Sequence, residues 1–485
     1  MRSLTPVAEY GDTTARRSVP TFCALRVHGD KTPSPCPLPR STGREGNCYH
    51  HYATFAAPLY CITKIFTRII SMKNPTRREF IKTTAGVAAT AMAAPYIVAQ
   101  ESKGANDRIG IGFIGTGGRC NNHLDIINRF KEAGVAVPVA VQDVYRPRLV
   151  AASQKTGGTK MYDTHEELLA DKNVDVVCIA SPDRHHAQQT IDAINAGKDV
   201  FCEKPLTHWS QFEQAKKIEK IANDKQKLVQ VGTQHMADEN YPKIIELIRG
   251  GIIGKPVHVQ CSYFRRGDWG ERMPIPDENA KPGPDLNWER FLGDAPKVDF
   301  SVSRFFQWRL FWDYAGGPAT DLLVHTFTPI FCILELDFPE RVFGGGGTFQ
   351  YDREVPDQCN IIADYKDGPS VVMTNSLSNH VALDTQIRGT DGIITWGMLQ
   401  GGKEYGVRIV PFGDGKKEIL IPWAGQGDTA KLWENLLDCV KTRKKPRCPI
   451  DMAVRVQAPL SMGILSHRES KVAMFDFENQ AIVMR

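Results

Sequence analysis

The chain has 485 residues, enough for two domains with separate cores, and 42% of them are apolar, a globular composition. Its formal net charge of +5 does not mark a nucleic-acid binder: residues 1–72 hold nine Lys or Arg against four Asp or Glu, and residues 73–105 hold five against two. The remaining body therefore carries about minus three.

Residues 1–71 are Pro-rich around Thr32 to Pro39 and lack a sustained apolar period, so this stretch is expected not to fold. It reads as an over-extended reading frame, with Met72 as the expected start. After Met72 come Arg77 and Arg78, then Phe80-Ile81 and a weakly apolar Ala- and Thr-rich run with small residues at Ala91 and Ala93. The pattern over 72–105 is that of a twin-arginine export signal, which predicts delivery to the periplasm by the twin-arginine machinery. The run is too short and too polar to span a bilayer permanently. Four of the 12 cysteines (Cys23, Cys36, Cys48, Cys61) fall in the leader; the other eight are scattered, with no CxxC and no zinc spacing. Free thiols are expected, because this route exports proteins already folded in a reducing compartment, and no metal site is expected.

From residue 106 to 233 short apolar strands alternate with amphipathic helices: strands at 109–114, 137–142, 174–180, 199–202 and 228–231, with helices such as 121–132, 186–196 and 211–223 between them. Alternation of this kind predicts an α/β doubly wound parallel sheet of Rossmann type. The first strand runs directly into Gly115-Thr116-Gly117-Gly118-Arg119-Cys120 and a helix. This strand, turn, helix order places a pyrophosphate on backbone N–H groups at a helix N-terminus. Gly115 allows the tight turn, Gly117 allows close phosphate approach, and Cys120 stands where a third small residue is expected. Asp143, at the end of the second strand, is an acid suited to the adenosine ribose. NAD is therefore favoured, with Arg146 and Arg148 nearby leaving NADP open. Ser181-Pro182-Asp183 and Glu203-Lys204-Pro205 each follow a strand directly, so both should border the cofactor.

Residues 234–485 differ in character. A helix (241–249) and a strand (256–264) lead into about forty residues rich in Pro, Gly, Asp and Arg, where Arg265, Arg266 and Trp269 could form a rim or lid. After a helix over 321–334, strand-like runs recur at 341–350, 358–365, 370–376, 383–388, 392–396 and 406–411, with turns at Lys366-Asp-Gly368 and Thr390-Asp-Gly392. Hairpin spacing predicts an α+β domain built on a mostly antiparallel open sheet with one face covered by helices.

Two segments carry chemistry. In Gly316-Gly317-Pro-Ala-Thr-Asp321-Leu-Leu-Val-His325, the acid and the imidazole are four apart on a segment that reads as a helix, so they share one face. The imidazole can take a hydroxyl proton while hydride leaves the same carbon, and Lys204 can stabilise the developing alkoxide. A satisfied polar pair is the competing reading of DxxxH alone. In Trp308-Arg309-Leu-Phe-Trp312-Asp-Tyr314, Trp312 and Tyr314 suit the C–H faces of a sugar and Arg309 suits hydroxyl or carboxyl groups. Core packing is the competing explanation for each ring.

The fingerprint, Ser181-Pro-Asp-Arg-His-His186, Glu203-Lys-Pro205 and Gly316-Gly-x3-Asp321-x3-His325, in this order, resemble the Gfo/Idh/MocA family over nearly all of residues 106–466. The resemblance implies a catalytic group of Lys204, Asp321 and His325. It also implies a cofactor site lined by the fingerprint residues together with Asp143, Ser181, Pro182, His186, Glu203 and Lys204. A two-domain subunit follows, whose open sheet serves substrate binding and oligomer contacts in a dimer or tetramer. The function expected is hydride transfer between a sugar or polyol hydroxyl carbon and NAD or NADP. Free NAD is scarce outside the cytoplasm, so an exported enzyme should carry its cofactor tightly bound. Two alternatives stand beside this: NAD-dependent, redox-neutral cleavage of a glycoside, and a non-catalytic sugar-binding protein.

Overall fold

The computed structural model describes residues 108–267, 274–399, 402 and 404–485, all within one compact unit. The segments 1–71 and 72–105, and Trp269, lie outside the described residues. β1 (Ile109–Ile114), β2 (Ala136–Gln142), β3 (Lys160–Tyr162), β4 (Val176–Ile179), β5 (Asp199–Cys202) and β6 (Val229–Val231) form a parallel sheet in the order β3-β2-β1-β4-β5-β6. Every residue of β1, β4, β5 and β6 is buried. That is why these strands read as unbroken apolar runs: helices cover both faces of the sheet. Pro138 cannot donate to the ladder, and the β1–β2 register slips beside it, where Ile111 pairs with Pro138 and Gly112 with Ala140.

The crossover helices are α1 (Gly118–Glu132), α2 (Arg146–Lys155), α3 (His165–Ala170), α4 (Asp183–Asn195) and α5 (Phe212–Asp224). α1 and α4 each begin three residues before the apolar period starts, at the glycine turn and directly after Pro182. β3 and α3 were not legible as periodic segments, since β3 is a three-residue edge strand with two exposed side chains. A local signal for α3 did exist: Thr164 and Glu167 form a reciprocal capping box.

The second sheet has ten strands: β7 (Pro256–Phe264), β8 (Arg341–Gly347), β9 (Gln358–Asp364), β10 (Ser370–Ser376), β11 (Gln386–Gly389), β12 (Gly392–Met398), β13 (Tyr405–Pro411), β14 (Ile419–Pro422), β15 (Ala473–Asp476) and β16 (Ala481–Met484). Their order is β14-β13-β12-β11-β7-β10-β9-β8-β15-β16, antiparallel except for the β7–β10 pair. The sheet is mixed, and the four-residue strands β14, β15 and β16 are too short to read from sequence. Helices α6 (Tyr241–Arg249), α10 (Leu323–Leu334) and α12 (Ile450–Glu469) pack on one face or against one another. At the α12–β8 contact the backbones nearly touch, and a Cβ on Gly344 would lie 1.8 Å from the Gly463 carbonyl oxygen. The other face is open, with the cross-strand pair Phe343 and Ile362 exposed.

One expectation needs correction. The helix over 321–334 is two elements: a short α9 (Pro318–Asp321) and α10, separated at Leu322 (φ −112°, ψ −48°). Asp321 therefore closes one element and His325 sits in the first turn of the next, so the shared-face argument from i,i+4 spacing does not apply. Chain order also fails as a packing boundary. α11 (Thr429–Thr442), far along the second half, packs on the first sheet, and its Trp433 stacks on Phe201 of β5 at 4.5 Å.

Candidate active site

The carboxyl ends of β1, β2, β4 and β5 open on one side of the first sheet, and the glycine turn lies among them. Gly115 has φ +78°, and a Cβ there would lie 2.7 Å from the Ser181 backbone, so the turn tolerates only glycine. No side chain caps α1. Its first N–H groups therefore face the cleft, the arrangement that binds a pyrophosphate. The residues present fit a dinucleotide. Gly115, Gly117, Gly118, Arg119, Asp143, Ser181 and Pro182 all line one cavity of about 970 Å³, at the upper end of the size range for small-ligand sites. Thr116 and Asp143 fix each other: the Asp143 carboxylate accepts from Thr116 N at 2.7 Å, Thr116 Oγ1 at 3.1 Å and Tyr145 N at 2.9 Å. Asp143 thus braces the turn as well as bordering the cleft. Ser181 donates to Gln189 at 2.6 Å.

Two residues expected to line the cofactor site sit elsewhere. His186 is buried, with Nδ1 2.7 Å from the Pro205 carbonyl and Nε2 2.9 Å from the Ser181 carbonyl, and so ties the loop after β4 to the loop after β5. Glu203 is buried behind the fingerprint. Its carboxylate accepts from Arg119 Nε at 2.8 Å and lies 2.9 Å from His123 Nε2, and the other His123 nitrogen accepts from Trp433 Nε1 at 2.9 Å. Burial alone would raise the Glu203 pKa, but Arg119, His123 and Lys204 overcome it and hold the carboxylate well below its ordinary range. Arg119 also reaches Thr429 of α11. This chain from Trp433 to Arg119 makes Glu203 a fastener between β5, α1 and α11. His123 and Trp433 carry no sequence signal for it, since both read as ordinary core residues.

Lys204, the next residue, turns to the opposite side. Its ammonium donates to the Asp321 carbonyl at 2.9 Å and forms an ion pair with the Asp321 carboxylate, both side chains being about 10% exposed. Arg309 Nε lies 3.5 Å from the same carboxylate and packs over Trp308. Asp321 is therefore the hub of two cations. His325 stands beside them, its ring 5.7 Å from His235 and 6.4 Å from Tyr263. His235 hydrogen-bonds the His325 backbone. Burial, then the Lys204 charge, then His235 hold the His325 imidazole well below its ordinary pKa, so it is neutral at pH 7 and able to accept a proton. Asp183, at the start of α4, also belongs here. Burial and the Asp321 charge, against the pull of Arg309 and Lys204, push its carboxyl up to about 7. Its signal in the sequence was only its position beside Pro182.

Of the substrate candidates, Arg309 reaches the site. Tyr314 does not: it is fully buried, 5.0 Å from Phe291 in the aromatic core of the connecting segment. The Trp312 ring faces Trp209 at 5.7 Å, and the Arg468 guanidinium lies over it. Tyr314 is thus a packing residue, whereas Trp312 is only partly buried and its contact with Trp209 is edge-on. Among the described residues no His, Cys, Asp and Glu cluster suits a metal ion, all eight cysteines are free, and no helix is long and apolar enough to cross a membrane.

Comparison with known proteins agrees with this geometry. Residues 109–233 match the family model described as oxidoreductase family, NAD-binding Rossmann fold, and residues 290–395 match the GFO/IDH/MocA C-terminal domain. Residues 109–233 are thus an NAD-binding Rossmann domain. The inositol 2-dehydrogenase of Salmonella typhimurium is 34% identical over 157 residues, 32% of this chain and 44% of that protein. Against such relatives the chain spans less than half of their length. The inositol 2-dehydrogenase of Gluconacetobacter diazotrophicus is 26% identical over 302 residues, 58% of this chain and 82% of the relative. Among solved structures, the WlbA dehydrogenase of Bordetella pertussis in complex with NADH and UDP-GlcNAcA superposes with a TM-score of 0.55 at 18% identity, covering 75% of this chain and 98% of that one. The aldose-aldose oxidoreductase of Caulobacter crescentus complexed with glycerol gives 0.56 at 18%, covering 76% and 99%. At such identities the likeness is one of fold.

Proposed function

We propose that this chain, which carries both domains of the Gfo/Idh/MocA family, is an oxidoreductase that moves a hydride between a CH–OH carbon of a sugar or polyol and a bound nicotinamide. The observation that carries the reading is the convergence of Lys204, Asp321 and a neutral His325, joined to the cofactor cleft by Arg309, which lines that cleft and lies 3.5 Å from the Asp321 carboxylate. Bound in that cleft, NAD supplies the hydride acceptor. His325 takes the hydroxyl proton, and its depressed pKa keeps it free to do so at neutral pH. Lys204 donates to the substrate oxygen as it gains negative charge, a stabilisation strengthened because water is largely excluded around it. Asp321 holds the ammonium in place, and Arg309 offers N–H donors to neighbouring hydroxyls.

The inositol and aldose enzymes among the similar proteins support a polyhydroxylated substrate. The twin-arginine pattern of 72–105 supports action in the periplasm, to be tested by fractionating cells that express the chain from Met72. The open face bearing Phe343 and Ile362 supports self-association, to be tested by light scattering. The activity itself is tested by adding sugars and polyols to the purified chain and following the near-ultraviolet absorbance of reduced nicotinamide. Reduction by at least one polyol, lost in Lys204→Ala, is expected. A panel that reduces nothing, with NAD demonstrably bound, would overturn the reading.

A further inference from the structure

Residues 274–309, between β7 and α9, run back across the first domain and roof the cofactor cavity, contributing Pro274, Pro276, Asn287, Arg290, Phe305 and Phe306 to the lining. Its attachments are built rather than incidental. An antiparallel bridge joins Leu286 to Tyr145, flanked by Arg146 N to the Asp285 carbonyl and Asn287 N to the Val144 carbonyl, both at 2.9 Å. These sit directly after Asp143. Tyr145 donates its hydroxyl to Asp277 at 2.8 Å, and its ring meets Phe305 and Phe306, each at 5.6 Å. Arg184 reaches Asp294 at 2.8 Å, Arg290 reaches Glu166 at 3.2 Å, and the half-buried His185 donates to the Phe291 carbonyl at 2.8 Å. Gly293, at φ +57°, lets the segment press on His185, where a Cβ would lie 2.9 Å from the ring.

We propose that residues 274–309 are a strap that closes over the adenosine side of the cleft and keeps the dinucleotide in place from one turnover to the next. The inference rests on the oxidoreductase reading for its consequence, but not for its geometry. A cofactor lying between the glycine turn and this roof is held on its adenosine side by the bridge at Tyr145 and the outer ion pairs. The strap ends at Arg309 on Asp321, so the segment that encloses the cofactor also supplies part of the catalytic centre. A retained cofactor must be recharged where it sits. One alcohol carbon gives up a hydride and its hydroxyl a proton, and the carbonyl of a second sugar takes the hydride at its carbon and the proton at its oxygen.

The test is nucleotide exchange in the purified full-length protein. The chain is loaded with adenine-labelled NAD, chased with excess unlabelled NAD, and the label remaining is counted. We expect release at least 100-fold slower than in the double variant Asp277→Ala/Glu166→Ala, which cuts two outer attachments without touching the glycine turn. Should that variant fail to fold, the wild-type protein in rising salt serves instead: screening weakens the Arg290–Glu166 and Arg184–Asp294 pairs, and release should accelerate at least several-fold. Wild-type exchange within seconds, indifferent to both changes, would overturn the strap. Polyol-dependent reduction of the cofactor, measured on the same sample, separates that failure from failure of the oxidoreductase reading, since rapid exchange with normal reduction removes the strap alone.

Discussion

Glu203 and Lys204 are adjacent in sequence and face opposite sides of the chain, and the two regions they enter are organised on different principles. Around Glu203 every partner is protein: Arg119, His123 and, through His123, Trp433, with Thr429 completing the arginine. Around Lys204 the charges are two acids, Asp321 and Asp183, and two cations, Lys204 and Arg309, with a neutral imidazole beside them. A closed network of this kind makes a site rigid. The second region instead keeps a carboxyl, Asp183, that changes protonation near pH 7 and an imidazole, His325, held neutral and so able to take a proton. The two regions share the loop after β5, so rigidity on one side positions the chemistry on the other.

The sharpest way to break this contrast is Lys204→Ala. Turnover should fall by roughly 10²–10³-fold or more in kcat, the range for loss of one donor to a developing oxyanion, while bound NAD is retained. Steady-state kinetics with nucleotide analysis check it. His325→Asn should lower kcat by about 10²–10⁴-fold, as for removal of a general base. In the unmodified enzyme the His-dependent limb should show kcat/KM rising with pH, its midpoint lying well below the ordinary imidazole value because burial and Lys204 depress that pKa.

Asp183 adds a second titration near pH 7. Its folded pKa is raised, so ionising it costs stability once pH exceeds its unfolded value, the penalty growing until about pH 7. Asp183→Asn should therefore raise the unfolding free energy at pH 8 and not at pH 4, by up to about 4 kcal/mol at 1.36 kcal/mol per pKa unit, and remove the limb near 7 from the rate profile. On the other side of the loop, Glu203→Gln should cost about 1.5–3 kcal/mol, because it removes the charged partner of Arg119 and His123 while Arg119 keeps Thr429 and Asn122. Its folded pKa is depressed, so the stability it confers is present above the unfolded carboxylate value and lost as pH falls; the variant and the parent should converge in acid melts. The smallest effect belongs to Tyr314→Phe, which removes a hydroxyl from an aromatic core. Stability should change by about 1 kcal/mol and KM not at all, in contrast to Arg309→Ala, which should raise KM for a polyol.

Much of this was legible in advance for identifiable reasons. β1, β4, β5 and β6 are buried on both faces, so their apolar runs are unmistakable, and the glycine turn is tied to a backbone requirement at Gly115. The catalytic residues were legible as residue types at strand ends. Tyr314 was misread because an aromatic ring in a loop looks the same whether it packs against Phe291 or against a sugar. The continuous helix from 321 was misread because the break at Leu322 leaves the apolar period intact.

The sequence by itself determined the order of elements, the dinucleotide turn and the presence of Lys204, Asp321 and His325, since each depends on local spacing or on a side chain's own chemistry. Only the tertiary structure decided that Asp321 grips Lys204 and Arg309, that Glu203 locks Arg119 and His123, and that residues 274–309 roof the cofactor cleft. Those partners stand 117 residues apart for Lys204 and Asp321, and 310 for His123 and Trp433. Contacts across such distances are chosen by how two sheets and their helices pack, and no periodicity in the chain encodes them.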